Sequence, residues 1–199
     1  MKSIAVVIAA SGNSQRFLQE ETGTSKIFTN IAGTALIART ITAFAGLAKS
    51  DTWEITSIML VMRQQDMTQF KQLDLQDDRI CSPVIGGDTR QKSIYCGLQA
   101  LEKNHSTYDY VLVHDGARGC IAPEKIAELC DTIVAQECAA ALSLPVQDTL
   151  ISAGEASFLT PIARDQLYAM QTPQAFPFVS FLEAHRQNIT GNYSDDVSL

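Results

Sequence analysis

Three apolar, β-branched runs separated by helical patterns constrain the fold of this chain most strongly. The runs lie at residues 4–10, 55–62 and 108–115, and the unbroken hydrophobicity of the first is typical of a strand buried on both faces. Between and after them, apolar residues recur every three or four positions, which predicts helices. These helical segments are residues 35–48, 89–101 and 123–136. Strands that alternate with helical crossovers predict an α/β fold with a mostly parallel sheet covered on both faces.

The remaining segments carry weaker signals. Residues 66–73 could form a helix, residues 79–87 a short strand that ends in glycines, and residues 138–146 another strand. The stretch at about 148–168 differs, because it has short β-like pieces around a turn, and we expect it to project from the sheet as an arm. We find no internal repeat or linker, so residues 1–199 are expected to form one domain.

The composition argues against nucleic acid and membranes as partners. The chain has 199 residues, 46% of them hydrophobic and 19% charged, with a formal net charge of −7. It therefore lacks the basic surface that nucleic-acid phosphates require, although a few well-placed cations can still hold a small phosphorylated ligand. The apolar run at residues 4–10 is too short to span a bilayer, and we expect a cytoplasmic protein.

The cysteines point to the same compartment. They are odd in number and have neither CxxC nor Cys/His metal spacing. Because disulfides are rare in the cytosol, we expect reduced and mostly buried thiols. The residues concerned are Cys81, Cys96, Cys120, Cys130 and Cys138.

Polar clusters follow three of the predicted strands. "ASGNSQRF" follows the run at residues 4–10, "GGDTR" the short strand at 79–87, and "HDGAR" the run at 108–115. The carboxyl ends of parallel strands meet at one edge of a sheet, so these clusters predict a ligand crevice there. Asp115 and Arg118 are expected on its rim.

The first cluster is suited to an anion. Its small residues, at 11–14, leave backbone N–H groups free to face a ligand, and Arg16 and Lys26 could clamp separate phosphate groups. The chain has no GxxxxGK[ST] and no GxGxxG, which removes the fingerprints of a Walker loop and of a nicotinamide site. Taken alone, the loop fits an ordinary surface turn better than a phosphate site.

The combination of motifs is far more specific. "AVVIAASGNSQRF", "GGDTRQKSIYCGL", "YVLVHDGARGCI", "LPVQDTL", "YAMQTPQAF" and "YSDDVSL" occur in this order. Together they resemble the 2-C-methyl-D-erythritol 4-phosphate cytidylyltransferases, a family of isoprenoid-precursor synthesis, from Ile4 to Leu199. The resemblance implies a nucleotidyltransferase with a Rossmann-like, mostly parallel twisted sheet, which uses CTP and Mg²⁺ and releases pyrophosphate.

The resemblance also implies residue roles at matching positions. Catalysis would fall to Arg16, Lys26 and Asp115. The nucleotide would meet Ala9, Ala10, Ser11, Gly12, Gly87, Asp88, Ser93 and Gly116. The polyol phosphate would meet Asp115, Arg118, Thr149, Arg164 and Thr172. A homodimer is implied, in which the arm lends Thr149 and Arg164 to the neighbouring subunit's site. The metal ligands stay unknown.

These residue types suit the implied chemistry. A phosphate oxygen must attack the α-phosphorus of CTP, and because both partners are anions, cations are needed to reduce repulsion. Arg16, Lys26 and Mg²⁺ can do this without proton transfer, and Arg118 and Arg164 can orient the incoming phosphate. Asp115 is expected to orient the metal, its waters or the substrate.

Several alternatives stay open. Asp88 could equally cap the following helix, Arg164 could be a solvated arm residue, and His114 fits a satisfied structural imidazole better than a base. The substrate could be another polyol phosphate such as ribitol 5-phosphate, or the chain could be a non-catalytic nucleotide-binding relative. The sequence departs from the family pattern at Ser25, Gly116 and Gly119. The family pattern continues beyond "SDDVSL" to a second catalytic lysine, and a truncation, a disordered tail or a lost fusion partner would each explain its absence here.

Overall fold

A twisted six-stranded sheet forms the centre of the computed structural model, which describes residues 1–12, 25–104, 106–153, 159–188 and 196–198. Its strands in spatial order are β5 (Val84–Ile85), β4 (Trp53–Met62), β1 (Lys2–Ala10), β6 (Tyr110–Asp115), β10 (Tyr168–Pro177) and β7 (Ala140–Pro145). β1 pairs in parallel with both β4 and β6, and β4 pairs in parallel with β5. β10 pairs antiparallel with both β6 and β7, so it alone in this sheet runs in reverse. The mostly parallel sheet predicted from the sequence is confirmed.

Helices cover both faces of the sheet because successive residues of the central strand point to opposite sides. Ile4, Val6 and Ile8 of β1 face one core, and Ala5 and Val7 face the other. The first core lies beneath α1 (Leu36–Ala45) and α4 (Pro123–Gln136), and the second beneath α3 (Arg90–Lys103) and α5 (Phe178–Gln187). This two-sided burial explains the uninterrupted hydrophobicity of the strand.

The weaker predictions needed correction. The helix expected at 66–73 is one turn, α2 (Met67–Phe70), after a 3₁₀ turn at Gln64–Asp66. The strand expected at 79–87 contains only Val84–Ile85, with a separate bridge between Ile58 and Ile80. β10 and α5 were not predicted at all. Pro173 and Pro177 hide β10, since proline inside a run is a sign against a strand, and the register with β7 shifts between Met170 and Gln174.

The predicted arm is a separate hairpin. β8 (Leu150–Ala153) and β9 (Leu159–Ile162) pair antiparallel with each other outside the central sheet. The side chains of Ile151 and Ile162 are about half exposed. A smaller hairpin, β2 (Asn30–Ile31) with β3 (Thr34–Ala35), precedes α1 and turns through Ala32 and Gly33, both at positive φ.

The cysteines agree with the sequence analysis in part. All five are free thiols, as expected, but only Cys130 is buried; Cys120 is exposed and the other three are intermediate, so the expectation of mostly buried thiols is wrong. Among the described segments, no helix combines the length and the hydrophobicity that crossing a membrane would need.

Candidate active site

A cavity of about 720 Å³ opens at the carboxyl ends of β1 and β6, beside the first turn of α3. It gathers residues from separate parts of the chain, as expected for strand ends that share one edge of a parallel sheet. The cavity is lined by these residues of the sequence prediction: Ala9, Ala10, Ser11, Gly12, Lys26, Gly87, Asp88, Ser93, Asp115 and Arg118. It is therefore the candidate active site.

One side of the cavity, where the sequence analysis places the nucleotide, is built by close packing of the "GG" turn on the end of β1. Ser11 Oγ donates to Ser93 Oγ at 2.7 Å, and Ser93 Oγ lies 2.8 Å from the carbonyl oxygen of Thr89. A Cβ on Gly86 would lie 2.6 Å from Ser11 Cβ and 2.8 Å from Ser93 Oγ, so the turn has no room for a side chain. Gly86 does not line the cavity itself but allows this packing, and the sequence analysis did not single it out although "GGDTR" contains it.

Asp88 lies in this turn but does not cap the helix that follows it. The N-cap of α3 is Thr89, whose side chain accepts a hydrogen bond from the Lys92 N–H at 3.1 Å. The alternative that Asp88 caps the helix is therefore wrong. The Asp88 carboxylate is exposed and pairs with Lys92 at 2.9 Å, and the hydrogen bond from Lys92 lowers the pKa of Asp88. An exposed carboxylate beside the cavity is free to accept hydrogen bonds from a ligand.

The opposite wall carries a chain of alternating charges. Asp115 Oδ2 accepts a hydrogen bond from Arg118 Nε at 2.9 Å, and Asp115 Oδ1 lies 3.3 Å from two nitrogens of Arg90. Arg90 Nη1 donates to Asp196 Oδ2 at 2.6 Å. Burial opposes ionisation of Asp115, but Arg90 and Arg118 outweigh it and lower the pKa of this carboxyl group. Asp115 therefore stays ionised at neutral pH and does not act as a proton donor.

Lys26 reaches the cavity from a short 3₁₀ turn, Lys26–Phe28, that follows the first loop. Ile27 and Phe28 of this turn are buried, whereas Lys26 is exposed. The two apolar side chains anchor the backbone of the turn, which brings the Lys26 side chain to the cavity. Arg16, its predicted partner in holding phosphate, lies outside the described residues.

His114 lies directly behind this wall, at the end of β6. Its ring is fully buried, with one nitrogen 3.1 Å from Thr172 Oγ1 and the other 3.2 Å from the carbonyl oxygen of Arg118. Burial lowers the pKa of His114 to about 4. The ring is therefore neutral near pH 7, and the interpretation as a satisfied structural imidazole agrees with this geometry.

Four of the predicted residues do not line the cavity. Gly116 packs behind it, where an added Cβ would lie 3.0 Å from both Ala10 Cβ and Ile37 Cδ1. Thr172 lines a neighbouring cavity of about 620 Å³ that shares Arg118. Thr149 and Arg164 line neither of these two cavities, and the Arg164 guanidinium donates to the carbonyl oxygen of Gln147. Among the described residues, the arm thus contributes nothing to the lining of the candidate site.

The comparison with known proteins agrees with this architecture. The family model described as "IspD: 2-C-methyl-D-erythritol 4-phosphate cytidylyltransferase" matches residues 4–199. The chain belongs to this family. A relative of that name from Dictyoglomus thermophilum is 31% identical over 205 residues, covering 100% of this chain and 83% of the relative. Another, from Geobacillus thermodenitrificans, is 35% identical over 198 residues, covering 97% and 81%.

Solved structures show the same fold at lower identity. The crystal structure of 4-diphosphocytidyl-2C-methyl-D-erythritol synthase from Anaerococcus prevotii superposes with a TM-score of 0.81 at 24% identity. The match covers 98% of this chain and 81% of that one. The family of cytidylyltransferases and the α/β fold named from the sequence motifs are both confirmed.

Two further residues at or behind the cavity wall were not singled out from the sequence. Arg90 lines the cavity, and the buried Asp196 holds Arg90 from behind. Both lie inside quoted motifs, "GGDTR" and "YSDDVSL", so the signal was present. It could not be interpreted because nothing in a linear sequence says that these two motifs meet.

Proposed function

We propose that the protein transfers CMP from CTP to 2-C-methyl-D-erythritol 4-phosphate, giving 4-diphosphocytidyl-2-C-methyl-D-erythritol and pyrophosphate. The observation that carries the proposal is the cavity of about 720 Å³ that gathers residues from the family's separate motifs around three cationic side chains. These cations are Lys26, Arg90 and Arg118. A site of this kind suits two phosphorylated ligands that must approach one another.

The reaction needs the cations more than it needs a base. A phosphate oxygen of the polyol phosphate forms a bond to the α-phosphorus of CTP, and the bond from that phosphorus to the bridging oxygen breaks in line, so pyrophosphate leaves. Lys26 is placed to meet charge that grows on the triphosphate, and Arg118 to orient the attacking phosphate. The attacking oxygen is already anionic, which agrees with a neutral His114 and an Asp115 paired with two arginines.

Mg²⁺ is part of the proposal as a companion of CTP rather than as a resident ion. The described residues contain no group of three or more His, Cys, Asp or Glu side chains that could hold a metal. Of the carboxylates that line the cavity, Asp88 pairs with Lys92, and Asp115 with two arginines. Because Mg²⁺ readily takes phosphate oxygens and water as ligands, the triphosphate can hold the ion, which would neutralise part of its charge.

The arm belongs to the proposal through a second subunit. Ile151 and Ile162 leave the hairpin apolar and about half exposed, and its strands pair only with each other in the described part of the chain. A homodimer would cover these side chains and bring Thr149 and Arg164 to the partner's cavity. We further infer that the reaction takes place in the cytoplasm, where the five free thiols would stay reduced.

Subunit mixing tests the shared site. Arg118→Ala and Arg164→Ala would each be inactive alone, but in a heterodimer both defects would fall in one site and leave the other intact. Random exchange gives about half heterodimers, so roughly a quarter of the sites should recover. Absence of recovery between subunits shown to exchange would contradict sharing through the arm.

A single assay tests the activity itself. Pyrophosphate release is measured with CTP, UTP or ATP, each paired with 2-C-methyl-D-erythritol 4-phosphate or ribitol 5-phosphate. We expect turnover chiefly with CTP and the methylerythritol phosphate, since a pocket built on hydrogen bonds rejects a base that leaves its groups unpaired. Preference for ribitol 5-phosphate would replace the proposed substrate, and no release with any pair would refute a catalytic role.

A further inference from the structure

The junction of β6 and β10 contains a continuous chain of hydrogen bonds through a buried imidazole. The Asp115 N–H donates to Thr172 Oγ1 at 3.2 Å, and Thr172 Oγ1 lies 3.1 Å from His114 Nδ1. On the other side of the ring, His114 Nε2 lies 3.2 Å from the carbonyl oxygen of Arg118. The chain therefore begins at one residue of the cavity wall and ends at another.

The direction of each bond follows from the identity of its end groups. A carbonyl oxygen can only accept, so the bond to Arg118 requires that His114 Nε2 carries the proton. In a neutral imidazole the other nitrogen, Nδ1, then has a free lone pair and accepts from the Thr172 hydroxyl. Full burial of the ring favours the neutral form. The tautomer of His114 is thus fixed by its surroundings.

This arrangement leaves Thr172 no hydrogen for a ligand. A threonine hydroxyl has one hydrogen, and here it points to His114 Nδ1. The oxygens of an ionised phosphate only accept hydrogen bonds, so the Thr172 hydroxyl cannot donate to the phosphate of a substrate in this state. The resemblance to the family implies a substrate contact at Thr172, and the hydrogen-bond chain gives its hydroxyl a second, indirect role.

The same chain of hydrogen bonds stabilises the turn at residues 115–118, which carries Arg118. The Arg118 N–H donates to the Asp115 carbonyl oxygen at 3.0 Å, and its own carbonyl oxygen accepts from His114. The ring is held in place by the edge of Phe44, with 5.1 Å between ring centroids. The Arg118 end of the residue 115–118 turn is therefore held by the ring and the Asp115 end by Thr172, and the ring cannot rotate without losing its hydrogen bonds to Arg118 and Thr172.

We propose that His114 and Thr172 are positioning residues, which together fix Asp115 and Arg118 on the side of the cavity that receives the polyol phosphate. This rests on the proposed function, because the polyol phosphate is the ligand that Arg118 would orient. Neither residue needs to touch the substrate. Their effect is to hold the turn so that the arginine meets the phosphate without first being ordered.

Kinetics with matched variants test the positioning role. Thr172→Val keeps the shape of the side chain but removes the hydroxyl, and it should raise KM for the polyol phosphate by about tenfold or more while KM for CTP changes little. Thr172→Ser, which restores the hydroxyl, should recover most of the loss. His114→Gln should follow Thr172→Val. Equal effects on both KM values, or no effect in Thr172→Val, would overturn the positioning role.

Nuclear magnetic resonance tests the hydrogen-bond chain without turnover. In ¹⁵N-labelled protein at neutral pH, long-range ¹H–¹⁵N spectra should show His114 as the neutral tautomer protonated at Nε2. In Thr172→Val, the His114 Nδ1 signal should shift and the Arg118 Nε–H should exchange faster with water. A His114 protonated at Nδ1, or an unchanged Arg118 signal, would refute the chain. Wild-type protein that shows these signals but no turnover would refute the proposed function alone.

Discussion

Asp196 and Arg90, 106 residues apart in the sequence, are joined by a 2.6 Å hydrogen bond between Oδ2 and Nη1. The Asp196 side chain is 2% exposed and that of Arg90 is 30% exposed. Arg90 turns its other nitrogens toward Asp115, so one guanidinium group connects the end of the described chain to the cavity wall. Replacing Arg90 by an uncharged residue should therefore destabilise the fold, because the Asp196 carboxylate would stay buried.

Arg90→Gln should therefore lower the free energy of unfolding by about 3 kcal/mol, measured by urea denaturation. Arg186→Gln is the matched control, since its ion pair with Glu102 is about 40% exposed on both sides and should contribute less than about 1 kcal/mol. Adding Asp196→Asn to Arg90→Gln should recover part of the loss, because the buried charge is then removed as well. Equal costs for the two arginine variants would contradict the assignment.

Lys26→Gln should lower kcat roughly 100-fold, with a smaller effect on KM for CTP, because the charge it meets grows in the transition state. Steady-state pyrophosphate release measures both constants. Lys49→Gln, an exposed change away from the cavity, should leave them unchanged. A near-normal kcat in Lys26→Gln would show that the ammonium group does not act on the triphosphate.

Gly86→Ala should raise KM for CTP about tenfold, since the added Cβ would overlap Ser11 and Ser93 and overpacking of this kind costs about 1–3 kcal/mol. KM for the polyol phosphate should change much less. Ile85→Ala alters the preceding, half-exposed side chain and should affect neither constant. Parallel rises in both KM values would mean that the turn supports the whole cavity rather than the nucleotide side.

His185 should make stability depend on pH. Its ring is buried between Phe181 and Tyr95 without a hydrogen-bond partner among the described residues, and burial lowers its pKa to about 4 from an ordinary value of 6.5. The unfolded chain therefore binds a proton that the folded one does not, so stability is present above pH 6.5 and falls as the pH drops toward 4. Between pH 7.5 and 5 the loss from this residue is about 2 kcal/mol.

Urea denaturation at those two pH values measures this dependence. His185→Phe, which cannot take up a proton, should lose less stability on acidification than the wild type does. Ser180→Ala, an exposed change on the same helix, should behave like the wild type. A slope that His185→Phe leaves untouched would assign the acid sensitivity to other groups.

The sequence predicts those elements whose signals are local. Helix α4 was predicted at 123–136, its observed bounds, because Pro123 marks its first turn and the apolar spacing continues to its end. β10 was missed because its two prolines argue against a strand, and its place between β6 and β7 depends on pairing with distant residues.

The candidate site, too, was predicted only in part. The strand-end clusters predicted a crevice with Asp115 and Arg118, and both line the cavity. The partners of Asp115 could not be predicted, because Arg90 and Thr172 reach it only after the whole sheet and its covering helices have packed. A motif states which side chains are present, whereas register and packing decide which of them touch.

The reversed strand β10 also sets an order of events during synthesis of the protein. In the described part of the chain, β7 pairs in the central sheet with β10 alone, and β10 lies between β6 and β7. When residues 140–145 leave the ribosome, their place at the sheet edge does not yet exist, and it is created only after the later segment 168–177 has paired with β6. The nascent chain must therefore keep β7 out of the sheet until that moment, which makes the pairing of residues 168–177 the step that builds this edge of the sheet.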